Sequence, residues 1–133
     1  MRGLVLGGLV AGALTGAFLR PAATLRVIRM GGASGARFEP VETQAQAGDT
    51  LRFLNLGGFH NVEFLADSIS DSARRLLARA MPGERIGPLS SPLLLEPQER
   101  YEITVPALPP GRYPFVCLPH AAGGMQGLLV VLP

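Results

Sequence analysis

Apolar and polar positions alternate in short runs along most of the chain, and glycine or proline breaks nearly every run. Alternation sends successive side chains to opposite sides, as in a half-buried strand. The pattern predicts strands at 25–30, 38–46, 50–55, 60–64, 93–95, 101–105, 111–117 and 126–132. In 50–55, Leu51, Phe53 and Asn55 share one face. Turns are expected at 31–35, at Ala47-Gly48-Asp49, at Gly57-Gly58 and at Pro109-Pro110-Gly111. This density of short strands implies an all-β sandwich or barrel.

One segment departs from alternation. Over 70–80, Ala73, Leu76, Leu77 and Ala80 recur at helical spacing with the preceding Ile69, and Arg74, Arg75 and Arg79 fall on other faces. Ser68 and Asp71 resemble a capping box at its start, and Pro82-Gly83 stops it. The expectation is one short helix covering an edge or end of the sandwich, its arginines in solvent.

Ahead of the first strand, residues 3–19 carry no charge between Arg2 and Arg20. A basic start followed by an apolar run reads as a signal peptide or an uncleaved anchor. The run is at the lower limit of length for crossing roughly 30 Å of hydrocarbon. Thr15-Gly16-Ala17 offers the best small-residue cleavage pattern. The expected division is 1–23 as signal peptide or N-terminal anchor and 24–133 as the folded domain. The domain is then exported, to the periplasm or another extracytoplasmic space, and held at a membrane only if the leader is retained.

The composition narrows the chemistry. A chain of 133 residues, 47% hydrophobic and 17% charged, can bury a core in one domain without disulfides. A net charge of +2 is too weak to suggest nucleic acid as a partner, and its excess lies in Arg2 and Arg20 of the leader. All twelve basic residues are arginine, which excludes Schiff-base and P-loop lysines. Two histidines cannot build a centre with several histidine-bound metals in one subunit, so an oxidase or nitrite reductase is disfavoured and no enzyme activity is expected.

Both histidines and the single cysteine sit beside turn residues at predicted strand ends. Cys117, His120 and Met125 form C-x2-H-x4-M, and His60 stands upstream in Gly58-Phe59-His60-Asn61-Val62. Two imidazoles, a thiolate and a thioether suit copper, since a trigonal His₂Cys set with a distant Met marks an electron-transfer site. Zinc would recruit no methionine. Tyr113, Phe115 and Cys117 alternate onto one face. Pro119 should hold Leu118 extended and turn the chain outward, and Gly123-Gly124 should permit the reversal that returns Met125.

At these residues the chain resembles the plastocyanin and pseudoazurin branch of the cupredoxins. Phe38-Glu39-Pro40 and the run from Ala47-Gly48-Asp49 to Phe53-Leu54-Asn55 are similar to the family's entry strands. His60-Asn61-Val62-x-Phe64 resembles its first-ligand motif, and Gly111-x-Tyr113-x-Phe115-x-Cys117-x-Pro119-His120 with Gly124-Met125-x-Gly127 resembles its ligand loop. The resemblance implies an eight-stranded Greek-key sandwich holding one copper ion on His60, Cys117, His120 and, weakly, Met125. It places Asn61 and Pro119 behind the ligands. It makes His120 the electron port, within an apolar patch of Phe59, Leu118, Pro119, Ala121 and Ala122. Val116 stands where plant plastocyanins carry a tyrosine, no dense acidic patch is present, and the insertion 65–92 departs from the family pattern.

The implied function is one-electron transfer between redox proteins that dock transiently near His120, by a monomer cycling Cu(I) and Cu(II). The alternative is a periplasmic copper carrier or buffer, although the chain has no Met-rich or His-rich tract suited to metal hand-over.

Overall fold

The structure, a computed structural model, describes Gly12, Gly16 and residues 19–133. The expected leader at 3–19 and its cleavage pattern lie outside the described residues, those two glycines and Leu19 excepted. Among the described residues the strands are β1 (Leu25–Gly31), β2 (Phe38–Glu39), β3 (Glu42–Ala45), β4 (Thr50–Gly57), β5 (Glu63–Phe64), β6 (Arg100–Thr104), β7 (Gly111–Val116) and β8 (Gln126–Val131), with one α-helix, α1 (Asp71–Ala80). They make two four-stranded sheets, ordered β2-β1-β4-β6 and β3-β8-β7-β5. The β1–β4 and β3–β8 pairs are parallel and the others antiparallel. This is the expected all-β sandwich of the cupredoxin type.

Alternation explains the packing. In β4, Leu51, Phe53 and Asn55 are buried while Arg52, Leu54 and Leu56 between them are partly open. The inward rows of the two sheets meet at Phe115. Its ring lies 4.9 Å from Phe38, 5.4 Å from Phe53 and 5.7 Å from Phe64, each edge-on. Edge-to-face contacts set the positive ring edge against a negative ring face, so each adds about 0.5–1.5 kcal/mol beyond burial. Gly127 sits opposite Phe115 in the β7–β8 register, and a Cβ there would lie 2.4 Å from the ring. The missing side chain is what lets the Phe115 ring lie across the neighbouring strand β8.

Several details differ from the expected elements. The strand expected at 60–64 shortens to β5, Glu63–Phe64, with His60 making only an isolated bridge. The run 38–46 splits at Pro40-Val41 into β2 and β3, which join different sheets. Proline lacks the N–H that a continuous ladder needs at that point. Leu93–Leu95 forms no strand; Leu94 alone makes an isolated bridge, to His60. The helix begins at Asp71, with Ser70 rather than Ser68 as its cap: the Ser70 hydroxyl accepts the Ala73 N–H at 3.2 Å. Ser68 instead ends a 3₁₀ turn at Ala66–Ser68. Ala73 and Leu77 bury the helix against the sandwich, and Arg75 and Arg79 face solvent.

The ladder brings several strand ends to one pole. β1 and β4 run side by side from Leu25↔Thr50, and after a register shift Gly31 pairs with Gly57. In the other sheet β7 reaches the same pole, its Val116 paired with Glu63 of β5. The residues just beyond these ends are His60 and Cys117. At the opposite pole Asp49 anchors the start of β1: its carboxylate accepts N–H bonds from Thr24 at 2.8 Å and Gln46 at 3.0 Å and faces Arg26 at 3.5 Å.

Candidate metal centre

Cys117 follows β7 as the last extended residue of that strand's path and is fully buried. Leu118–Gly123 then forms a 3₁₀ turn. Leu118 was expected to stay extended before Pro119; it opens the turn instead. Pro119 sits in the first turn, where its missing N–H leaves no bond unmade and its fixed φ suits the turn. The turn carries His120 back over the cysteine, with His120 N–H bonded to Cys117 O at 3.1 Å. Gly124 takes the left-handed conformation, φ 89°, and ends the turn. Met125 N–H then bonds His120 O, and Cys117 N–H bonds Met125 O, both at 3.1 Å. Met125 is buried, and one compact loop holds all three residues.

His60 reaches the loop from the turn after β4. Gly57 and Gly58 have φ of 152° and 81°, which non-glycine residues avoid. The His60 Nε2 lies 2.9 Å from the Gly57 carbonyl oxygen. A carbonyl only accepts, so Nε2 carries the proton and Nδ1 presents a lone pair. That Nδ1 faces Cys117 Sγ at 3.7 Å, and His120 Nδ1 faces it at 3.4 Å. The three donor atoms all lie within 4.8 Å of one another. Nitrogen and thiolate ligands at about 2.0 and 2.3 Å from a first-row metal stand about 3.5–3.8 Å apart at tetrahedral to trigonal angles. The donor set and its spacing therefore fit a copper ion.

The surroundings tune both groups. Burial holds the His60 imidazole below its ordinary pKa, with the Gly57 carbonyl opposing and His120 reinforcing that shift. It is neutral and ready to bind at pH 7. Burial pushes the Cys117 thiol up, and the backbone amides of Asn61 and His120 draw it partway back. A bound cation is what ionises such a thiol.

Asn61, expected behind the ligands, is fully buried there. Its Oδ1 accepts the Leu118 N–H at 2.8 Å, and its Nδ2 donates to Ser90 Oγ at 3.2 Å and Ser91 O at 3.4 Å. It ties the His60 segment to the cysteine loop. Ser90 and Ser91 come from the insertion 65–92, and Ser91 Oγ also accepts the Val62 N–H at 3.0 Å. Neither serine stands in a motif or a periodic run that would mark it. Gly31 was also missed, having been expected only as loop. A Cβ there would lie 2.4 Å from both Gly57 O and His60 Nε2.

Around His120, which is half-buried, the expected apolar residues are all at the surface. Phe59 is 52% and Leu118 40% exposed, and Pro119, Ala121 and Ala122 are open. The Phe59 ring lies 5.3 Å from the His120 ring. Leu93 and Leu95, on either side of the Leu94 bridge to His60, are exposed as well. They were not among the residues expected here.

A β-sandwich that closes one pole over a cysteine and two histidines, with a buried methionine in the same loop, defines a blue-copper protein of the cupredoxin class. The chain belongs to the plastocyanin/azurin family of copper-binding proteins, whose family model matches residues 27–132. It is 32% identical to a Synechococcus plastocyanin over 132 residues, covering 96% of this chain and 90% of that protein. It is 33% identical to Ginkgo biloba plastocyanin, covering 78% of this chain and 97% of the relative. Against the chloroplastic plastocyanin of Hordeum vulgare, at 33% identity over 71% of this chain, the match spans 54% of the relative's length. Among solved structures the fold is similar to oxidised plastocyanin from the fern Dryopteris crassirhizoma, with TM-score 0.64, 26% identity, and coverage of 80% of this chain and 100% of that one. The pseudoazurin of Methylobacterium extorquens shares the fold at 22% identity and TM-score 0.50, covering 80% of this chain and 74% of that one.

Proposed function

We propose that His60 Nδ1, His120 Nδ1, Cys117 Sγ and the Met125 thioether hold one copper ion, and that the protein carries single electrons between redox partners. Bound copper supplies the Cu(I)/Cu(II) couple. The observation that carries the reading is the half-buried His120. Its Nδ1 faces the buried thiol while its ring lies against Phe59 in an uncharged, exposed rim.

Each residue has a task in this reading. Cys117 and Met125 are shut away from water, so the site excludes solvent ligands. Asn61 and the Gly57 carbonyl fix the loop and the His60 ring from behind, so the donors need little rearrangement when the charge changes. Phe59, Leu118, Pro119, Ala121 and Ala122 offer a small apolar contact to a partner, as weak and short-lived redox encounters require. Export belongs to the same proposal, with 1–23 as signal or anchor and 24–133 as the domain that works outside the cytoplasm.

Reversible cyclic voltammetry with copper retained in both states, in the presence of a weak Cu(I) chelator, is the expected result. Ready loss of Cu(I) to that chelator would overturn the carrier reading in favour of a copper buffer.

A further inference from the structure

The His60 ring is oriented by the Gly57 carbonyl, and that carbonyl is itself held from behind. Asn55, at the buried end of the inward row of β4, is fully enclosed. Its Oδ1 accepts the Gly57 N–H at 3.0 Å. Its Nδ2 donates to Gly58 O at 2.9 Å, Glu96 O at 3.2 Å and Leu94 O at 3.3 Å. A backbone N–H on one side and three carbonyls on the other leave a single way round for the amide. One side chain thus grips the Gly57-Gly58 peptide unit from both flanking groups, and fastens it to the 94–96 segment, whose Leu94 exchanges backbone bonds with His60 at 3.1 and 2.8 Å. Gly31 closes the other side, with no room for even a methyl group.

We infer that Asn55 is a positioning residue: it locks the Gly57-Gly58 turn so that the Gly57 carbonyl holds the Nε2 proton of His60 and leaves Nδ1 bare toward Cys117 before any metal arrives. A free histidine exchanges its proton between the two nitrogens, and a ring with the wrong tautomer offers the metal an N–H instead of a lone pair. Freezing the tautomer in the metal-free protein removes that step from copper uptake. Asn55 touches neither the metal position nor a donor atom; it acts through a peptide two to three residues along the chain.

The inference rests on His60 serving as a ligand, but its main readout needs no copper, so it stands or falls apart from the carrier reading. In the full chain without copper, nitrogen chemical shifts of the His60 ring should report a single Nε2–H tautomer with slow exchange of that proton. A mixture, or the Nδ1–H form, in the wild-type protein would overturn the inference. Asn55→Asp keeps the shape and the acceptor but loses all three donor contacts, and Asn55→Ser loses most of the side chain. Both should show mixed tautomers and bind Cu(I) about 10–100-fold more weakly. Variants that lose stability yet keep the single tautomer would make Asn55 merely structural and overturn the inference.

Discussion

Replacing Gly31 with alanine should damage the metal site from outside its ligand set, and Gly35→Ala supplies the control. Gly31 has φ 73° and ψ −148°, and Gly35 has φ 80° and ψ −167°. Both fall in a region that is essentially restricted to glycine, where a side chain costs about 1–3 kcal/mol. Their surroundings differ. A Cβ at Gly35 meets nothing within 4 Å, whereas one at Gly31 would lie 2.4 Å from Gly57 O and from His60 Nε2. The second contact cannot be relieved by a flexible side chain, because a backbone carbonyl and a packed imidazole form it. Relief must break the His60–Gly57 hydrogen bond, and leaving a buried donor unpaired costs about a further 1–3 kcal/mol. Gly31→Ala should therefore destabilise the copper-free protein by about 2–6 kcal/mol, against about 1–3 kcal/mol for Gly35→Ala. Urea unfolding measures both. Copper affinity separates them further: about 10–100-fold weaker in Gly31→Ala and unchanged in Gly35→Ala. Equal stability losses with equal copper affinities would refute the claim that the missing Cβ at Gly31 makes room for His60.

Other perturbations test the rest of the molecule. At Asp49 burial raises the carboxyl pKa, but the Gln46 and Thr24 amides and Arg26 outweigh it and leave the pKa below 3.8. A depressed pKa adds stability that is present above the ordinary carboxyl range and lost as pH falls through the folded value. Asp49→Asn should thus be less stable than wild type by about 1–3 kcal/mol at pH 7, with the gap narrowing below pH ~4; a gap independent of pH in denaturation curves would contradict this. Phe115→Ala removes the ring shared by three aromatic contacts and should cost about 3–5 kcal/mol in the same unfolding assay, whereas less than about 1 kcal/mol would deny its central place. Asn61→Ala should loosen the cysteine loop and speed hydrogen exchange at the Leu118 amide, and an unchanged exchange rate would show that this bond does not restrain the loop.

The features legible in the sequence were those that depend on near neighbours. Leu51, Phe53 and Asn55 advertise the face of β4 by alternation alone, and Cys117, His120 and Met125 are close enough along the chain for their spacing to describe a loop. Asn61 was legible only because its neighbour His60 marked the place. What the sequence hid depends on contacts between distant segments. Gly31 looks like any loop glycine until β1 is laid beside β4 and brings it against His60. Ser90 and Ser91 sit in an insertion with no periodicity, and their value comes from an asparagine 29 and 30 residues away. Asn55 was visible as an inward residue, but nothing local says that its amide serves the Gly57-Gly58 turn. The isolated Leu94 bridge shows the converse. A run of three leucines looks like a strand, yet only Leu94 pairs with His60, and its neighbours are left at the surface.

The most direct test of copper held by the Cys117 thiolate is the visible spectrum of the full chain loaded with one equivalent of Cu(II), taken beside Cys117→Ser. An intense thiolate-to-copper band in the wild type that vanishes in the variant is the predicted result. A colourless, folded wild-type protein with stoichiometric Cu(II) would contradict it.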